Sequence, residues 1–329
     1  MQKKPFLWVV IACLLLLCGC SAQRELFAMD TVITMQVSGN QAEKALDLAA
    51  AEIYRLDQML SIGDKDSEIA SLNLGIAQTV SDETAALLET ALSLSEVTGG
   101  AYDCTIAPAA NAWGWYGDSP AVPDQELLEA ALLKVGFQSI SIEDGVVSFE
   151  KAGMGIDLGG IGKGYATGKL YSLLTGMGIR SGILSLGGNV RAIGSKPNGQ
   201  PWIVGIADPE HPSSYLGTVA VSDCAVVTSG DYQRFFTENE AFYHHILDPK
   251  TGFPADNGLR SVTIICRDDT MADGLSTALF VMGLKDAITF WRSGTVDFEA
   301  VFVADDQIYL TEGLNDIFQC TREYEVISR

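Results

Sequence analysis

The sequence predicts an α+β fold of mixed, mainly antiparallel sheets flanked by helices. Short runs rich in β-branched residues recur along the chain, among them 139–142, 146–149, 183–186, 202–206, 218–221, 261–266 and 300–303. Tight polar turns such as Glu143-Asp144-Gly145 and Asp305-Asp306 join neighbouring runs. Such turns signal hairpins, whereas parallel strands need crossovers of about a dozen residues or more. Between the runs lie stretches with apolar residues at helical spacing.

At the N-terminus, Lys3 and Lys4 precede an apolar run over 6–17 that ends in Leu17-Cys18-Gly19-Cys20. A basic start, a short apolar stretch and small residues describe a secretory signal, and the run is shorter than the ~20 residues of a bilayer span. The ending resembles a bacterial lipobox. That resemblance implies a signal peptide over 1–19, cleavage before Cys20, lipidation of the Cys20 thiol and a tether over 20–25. An uncleaved N-terminal anchor is the alternative, and both place the folded part outside the cytoplasm. The expected location is the extracytoplasmic face of the cell membrane, with residues 26–329 as a single domain.

An extended segment is expected over 26–37. Ala45, Leu46, Leu48, Ile53, Leu56 and Leu60 then mark an amphipathic helix over 42–60. A second helix over 81–98 is closed by Gly99-Gly100, a third spans 124–135, a fourth 162–177 and a fifth 271–283. Strand-like runs at 242–247 and 308–310 complete the set. Neither an internal repeat nor a low-complexity linker interrupts the chain after residue 26.

The chain has 42 acidic and 21 basic residues, a net charge of -21. Such a field repels phosphate backbones and argues against nucleic-acid binding. An anionic nucleotide would need a counter-charge, for which a divalent cation is the obvious source. Cys104, Cys224, Cys266 and Cys320 remain in the mature chain, scattered and without a Cys-x-x-Cys pair, which makes a clustered zinc site improbable. Free thiols and any of three disulfide pairings are both open.

Three segments carry chemistry. The first is Asp157-Leu158-Gly159-Gly160-Ile161-Gly162-Lys163-Gly164-Tyr165, which leaves an extended segment for a helix. Its glycines permit close backbone approach, its helix start favours an anion, and Lys163 adds positive charge. It fits neither a P-loop nor a dinucleotide fingerprint, and a strand–helix corner without ligand is the structural alternative. The second is Tyr243-His244-His245-Ile246-Leu247-Asp248-Pro249, where strand alternation lets only one of the two histidines face a given site. The third is Ala272-Asp273-Gly274-Leu275-Ser276-Thr277, where Asp273 and Thr277 share a helix face near its start. A carboxylate and a hydroxyl so spaced suit a hard cation such as Mg²⁺; helix capping by Asp273 is the alternative. Thr228-Ser229-Gly230-Asp231-Tyr232 is read as a turn, and Gly100-Ala101-Tyr102-Asp103 as a corner after a helix cap. In that corner Asp103 offers a carboxylate or merely holds the turn.

Together these segments resemble the FAD:protein FMN transferases, the ApbE-type lipoproteins. The likeness runs in order from Phe27-Ala28-Met29-Asp30-Thr31 through Ser67-Glu68-Ile69, Gly100 to Asp103, Trp113-Gly114, the Asp157 block and Leu186-Gly187-Gly188-Asn189 to the Thr228, His244 and Ala272 blocks. It implies an ApbE-like, T-fold-like α+β domain. It further implies that FAD is bound as substrate with Mg²⁺, that a Thr or Ser hydroxyl of a target protein attacks the phosphate of the FMN half, and that AMP leaves. Residue by residue, it implies metal ligation by Gly160 (through its carbonyl), Asp273 and Thr277, with Ser276 lining the same site. Flavin or adenosine contacts fall on Met29, Ala101, Tyr102, Asp103, Asp157, Lys163 and Leu247, and His245 activates the acceptor hydroxyl or stabilises the phosphate. The implied partners are FAD, an acceptor subunit of a membrane redox complex, and the membrane itself through the N-terminal lipid.

The chain departs from the family pattern at three places. Asp30 stands where Gly is usual, Gly162 replaces Ala, and Gly63 occupies a position where many members carry an aromatic that stacks on the flavin. The rival functions are a metal-dependent FAD pyrophosphatase, in which water replaces the protein acceptor, and a non-enzymatic flavin-binding lipoprotein.

Overall fold

The computed structural model describes residues 21–305 and 307–329; the Leu17-Cys18-Gly19-Cys20 ending, with Cys20, lies outside the described residues. The chain opens with strands β1 (Ser21–Ala28) and β2 (Thr31–Ser38), then helices α1 (Ala42–Leu60), α2 (Glu68–Asn73), α3 (Asp82–Val97), α4 (Ala107–Ala112) and α5 (Gln125–Leu132). A hairpin of β3 (Ile140–Glu143) and β4 (Val146–Phe149) leads into α6 (Gly159–Gly176). Next come β5 (Ser181–Leu186), β6 (Asn189–Gly194), β7 (Trp202–Ala207), β8 (Tyr215–Val221), β9 (Ala225–Gly230), β10 (Phe235–Glu238), β11 (Ala241–His244) and β12 (Leu259–Cys266). Helices α7 (Asp269–Met282) and α8 (Leu284–Ser293) precede β13 (Glu299–Ala304), β14 (Gln307–Thr311), β15 (Phe318–Cys320) and β16 (Tyr324–Ile327).

A nine-stranded sheet runs β1-β2-β5-β6-β9-β12-β13-β14-β16. Its neighbours are antiparallel except β14 and β16, so the mixed, mainly antiparallel α+β expectation holds. Alternation along β2 shows why the sheet has two different faces. Ile33, Met35 and Val37 are buried in the core formed with the helices, whereas Val32 and Gln36 point the other way and are exposed. Ala45, Leu46, Ala49, Ile53, Leu56 and Leu60 form the buried stripe of α1, at the spacing the sequence shows. A small sheet, β15-β8-β7, covers part of the opposite face: Val204, Ile206 and Val219 pack on Val226, Ile265, Val301 and Val303. The β1–β2–β5 end of that face keeps no such cover, and Phe27 and Val32 lie exposed on it.

Local chemistry explains where the elements differ from expectation. The extended segment over 26–37 is two strands, broken at Met29 and Asp30, both with positive φ (51° and 56°). Residues 21–25, expected as a tether, are strand: β1 starts at Ser21, opposite Ser38. Its alternation of exposed Ser21, Gln23 and Glu25 with buried Ala22 and half-buried Arg24 has the period of a half-covered strand. Thr228, Ser229 and Gly230 end strand β9 rather than form a turn. Helix α6 starts at Gly159, three residues early, because Asp157 Oδ1 accepts the Gly159 N–H at 2.6 Å and satisfies a helix-start donor. Helix α7 is capped by Asp268, whose carboxylate accepts the Met271 N–H at 3.0 Å. Asp273 therefore lies one turn inside the helix and does not cap it. The four cysteines of the described residues are free thiols, and burial raises those of Cys104 and Cys266 to about 12. No helix of the described residues is long and apolar enough to cross a membrane.

Helices α6 and α7 cross at Gly164. A Cβ there would collide with the Asp269 carbonyl and lie 2.6 Å from Asp273 Cβ. In an open helix, Gly→Ala would stabilise by about 1 kcal/mol through propensity; overpacking a tight contact costs ~1–3 kcal/mol. Gly164→Ala is therefore expected to lower stability, by about 1 kcal/mol or more, in urea unfolding. A gain in stability would show that the helices do not meet this closely.

Candidate functional site

The α6–α7 crossing gathers oxygen donors. Asp273 is buried, and its Oδ2 accepts the Gly164 N–H at 2.7 Å. In a regular helix that N–H points to the carbonyl four residues back, here Gly160. A carbonyl oxygen has two lone pairs, so Gly160 keeps capacity for a further partner. A Cβ on Gly160 would sit 3.6 Å from Thr277 Oγ1 and 3.0 Å from the Tyr102 ring. The Gly160 backbone, Thr277, Asp273 and Tyr102 thus share one corner. Ser276 is fully buried and already engaged: its hydroxyl donates to the Asp273 carbonyl at 2.7 Å and lies 2.7 Å from Ser229 Oγ. Ser229 in turn lies 3.3 Å from Thr277 Oγ1. Ser276 therefore fixes the helix turn and reaches the corner through Ser229.

Asp273, Thr277 and the Gly160 carbonyl are hard oxygen donors, the set that Mg²⁺ takes. Burial raises the Asp273 carboxyl above its usual range, and Lys163, Asn189 and the N–H groups of Gly164 and Lys163 pull it back down. One buried polar atom at this corner, the Tyr102 hydroxyl, lacks a partner among the described residues. Unpaired buried donors are costly, so it suits a polar ligand entering here. The residues present fit a cation and a phosphate together.

The two histidines face different ways, although strand β11 ends at His244 rather than running to 247 and His245 lies in the loop that follows. His244 is buried, its Nε2–H donating to the Ala255 carbonyl at 3.1 Å and its ring packed edge-on against Phe280. His245 turns the other way. Its Nδ1 lies 3.1 Å from the Arg234 carbonyl, and a carbonyl can only accept, so Nδ1 carries the proton and Nε2 a free lone pair. Burial, and then Lys163, lower its pKa to about 3. His245 is thus a neutral imidazole at physiological pH, with its basic nitrogen available.

The expected flavin contacts fall around this corner in two groups. Met29 Cε lies 3.9 Å from the Cβ position of Gly162, which ties the β1–β2 turn to α6. A left-handed Met29 is costly, and such strain gathers at functional sites; Asp30 beside it tolerates that conformation better. Asp157 accepts the Tyr116 hydroxyl at 2.6 Å as well as the Gly159 N–H. Ala101 and Tyr102 are buried beside it, Tyr102 against Gly160. Asp103 belongs to a second group. Its Oδ1 accepts from the Thr105 N–H and hydroxyl (2.8 and 2.6 Å) and its Oδ2 from the Phe137 N–H at 3.1 Å. Its carboxylate holds the loop, so its backbone is what a ligand would meet. Leu247 is buried in a cluster with Trp113 and Trp115, bridged to Pro254. At Gly63 an added Cβ would meet nothing within 4 Å, and residues 61–66 include no aromatic ring to stack on.

Asn189, Tyr116 and Arg234 are functional candidates that the sequence reading did not single out. Asn189 stands in the quoted Leu186-Gly187-Gly188-Asn189 block, and that turn was its signal. Tyr116 and Arg234 act through partners distant in sequence, Asp157 and His245, and carried none.

Residues 29–302 match the family model described as the ApbE family. The FAD:protein FMN transferase of Treponema pallidum is 33% identical, over 93% of this chain and 94% of that protein. That of Vibrio cholerae is 31% identical, over 91% and 94%. Among solved structures, the ApbE protein of Thermotoga maritima superposes with a TM-score of 0.84 at 32% identity, covering 92% of this chain and 100% of that one. The flavin transferase ApbE of Vibrio cholerae gives 0.81 at 25% identity, covering 91% and 99%.

His245 makes a pH-dependent contribution whose sign follows from its lowered pKa. Its folded pKa of about 3 lies below the unfolded value near 6.5. Under acid the unfolded chain binds a proton that the folded one refuses, so stability falls as pH drops from ~6.5 towards ~3. His245→Asn is expected to lose less stability than the parent between about pH 7 and 4.5 in paired urea-unfolding curves. Equal losses would mean that the imidazole is not held neutral.

Proposed function

The chain belongs to the ApbE family, and on that premise we propose that it is an Mg²⁺-dependent FAD:protein FMN transferase. It moves FMN from FAD to a Thr or Ser hydroxyl of an acceptor protein and releases AMP. The observation that carries the reading is the corner where Asp273, Thr277 and the Gly160 backbone meet beside Lys163, with the neutral His245 within electrostatic reach of Lys163.

The residues divide the work of a phosphoryl transfer, in which positioning and charge neutralisation dominate. Asp273, Thr277 and the Gly160 carbonyl would hold the cation, which supplies positive charge to the diphosphate. Lys163 adds a fixed positive charge between the carboxylate and the imidazole. His245 Nε2 takes the proton of the acceptor hydroxyl; the hydroxyl oxygen forms the new P–O bond to the FMN phosphate, and the P–O bond to AMP breaks. Met29 and the Ala101–Tyr102 corner border the space for the nucleotide, with Asp157 locked by Tyr116 and Gly159.

The setting is part of the proposal. The Leu17-Cys18-Gly19-Cys20 ending supports lipidation at Cys20 and an extracytoplasmic, membrane-anchored enzyme whose acceptors are subunits of redox complexes. With β1 starting one residue after Cys20, such an anchor would hold the body close to the lipid surface.

Incubation with FAD, Mg²⁺ and candidate acceptor subunits tests the reading. Flavin fluorescence should stay on the acceptor after denaturation, with one FMN found by mass spectrometry and AMP released. Free FMN and AMP alone would make the protein a pyrophosphatase, and unchanged FAD would make it a flavin-binding lipoprotein. Asp273→Ala should reduce turnover by about 100-fold or more while the urea-unfolding transition stays cooperative. Near-normal turnover would refute the metal assignment.

A further inference from the structure

We propose that the buried ion pair of Arg191 and Asp269 is a positioning pair: it fixes the register of α7 against β6 and α6, and so presents Asp273 and Thr277 to the cation. The proposal rests on the metal reading of the corner and adds the residues that set its geometry.

The pair is the second rung of a ladder whose first rung is the corner itself. On β6, Asn189 and Arg191 are two residues apart, both buried and on the same face of the strand. On α7, Asp269 and Asp273 are four apart. Two residues along a strand advance about 6.6 Å and four along a helix about 6 Å, so the two elements match rung for rung. Asn189 lies against Asp273 and pulls its carboxyl down, and Arg191 Nη1 donates to Asp269 Oδ2 at 3.0 Å. Helix α6 repeats the spacing with glycines. Gly164 donates its N–H to Asp273, and an added Cβ at Gly168 would lie 3.7 Å from Asp269 Oδ2.

The second rung is held from several sides. Arg191 Nη1 also donates at 2.6 Å to the carbonyl of Arg267, in the turn between β12 and α7. Its guanidinium sits over the Tyr171 ring of α6, 3.8 Å from the centroid. The Tyr171 hydroxyl donates to Asp223 at 3.0 Å, and Asp223 accepts the Gly194 N–H at the end of β6. One side chain thus ties strand β6, the turn before α7, the first turn of α7 and the middle of α6 to one another.

Stability alone does not account for such a pair. The two side chains are 3% and 5% exposed, and desolvating two charges can cost as much as their attraction returns. Burial raises the Asp269 carboxyl to about 7 even beside Arg191. Arg191 Nε and Asp269 Oδ1 lack partners among the described residues, which adds to the cost. Nor is Asp269 needed to start the helix, because Asp268 already caps it. What the pair supplies is direction. An apolar contact tolerates a helix turned or shifted by one residue, about 100° and 1.5 Å, and a hydrogen-bonded ion pair does not. Such a shift would carry Asp273 and Thr277 together away from the Gly160 backbone. Arg191 and Asp269 act on the site only through the helix that carries its ligands.

The test uses the intact protein without FAD and Mn²⁺ as the probe, because Mn²⁺ accepts the oxygen ligands that suit Mg²⁺ and its free ion is read by electron paramagnetic resonance. Arg191→Met combined with Asp269→Leu replaces the pair by apolar side chains of similar size, a change that buried ion pairs often tolerate in stability. The urea-unfolding midpoint of this double variant in metal-free buffer should stay close to the parent's, while its Mn²⁺ dissociation constant rises about 10-fold. Arg191→Lys keeps a cation for Asp269 and the Arg267 carbonyl and should lose less Mn²⁺ affinity than the double variant does. Unaltered Mn²⁺ affinity in the double variant overturns the proposal. So does a double variant that does not fold, or one whose Mn²⁺ affinity falls only in step with its urea midpoint, because the pair would then serve the fold as a whole. Absence of Mn²⁺ binding by the unaltered protein is a separate result and removes the metal assignment on which the proposal stands.

Discussion

The bond from the Gly164 N–H to Asp273 is the constraint on which the rest of the site depends. It links the first turns of α6 to the second turn of α7, and it forms only because residue 164 has no side chain. With that link in place, the Gly160 backbone faces Thr277 and Lys163 faces Asp273. Tyr102 closes against Gly160 from a third direction. Every element of the corner is located by the approach of two helices whose other surfaces are buried in the same core. Hydrophobic packing sets the distance between the helices, and the hydrogen bond sets their register.

The large sheet acts as a partition between two kinds of surface. One face is covered by helices and supports the polar corner. The other is half covered by β15-β8-β7 and leaves an uncharged groove along β1, β2 and β5.

Much of this was legible in the sequence. Helix α1 falls on its expected residues because its apolar spacing is regular and the next turn breaks it. The pairing of Asp273 with Thr277 was visible as a four-residue spacing; His244 and His245 do face different ways, but His245 lies past the end of β11 and not in a strand. Element boundaries shifted where a neighbouring side chain takes a backbone donor. Asp157 captures a backbone donor and starts α6 three residues early, and Asp268 caps α7 and moves Asp273 inside it. The break at Met29 lacked a glycine signal, and residues 21–25 looked like a tether because polar composition hid their alternation. Asp103 has the residue type of a ligand contact, yet its carboxylate is consumed by Thr105 and Phe137. Tyr116 and Arg234 reach the site across long sequence separations that no local pattern reports.

Lys163 resolves an opposition built into the corner. Burial raises the Asp273 carboxyl, which works against its proposed role as a ligand, and burial favours the neutral form of His245. A single cation near both stabilises the deprotonated state of each: it offsets the burial of the carboxylate and reinforces that of the imidazole. Both influences favour the states that the proposed transfer asks of the two groups, a deprotonated carboxyl and a neutral imidazole. A negative residue at 163 would reverse both effects together, and an uncharged one would leave the carboxylate to burial. The Gly-Lys-Gly sequence at the start of α6 therefore supplies more than a flexible turn. Its last glycine lets the second helix approach, and its lysine sets the protonation of what that helix and the His245 loop bring.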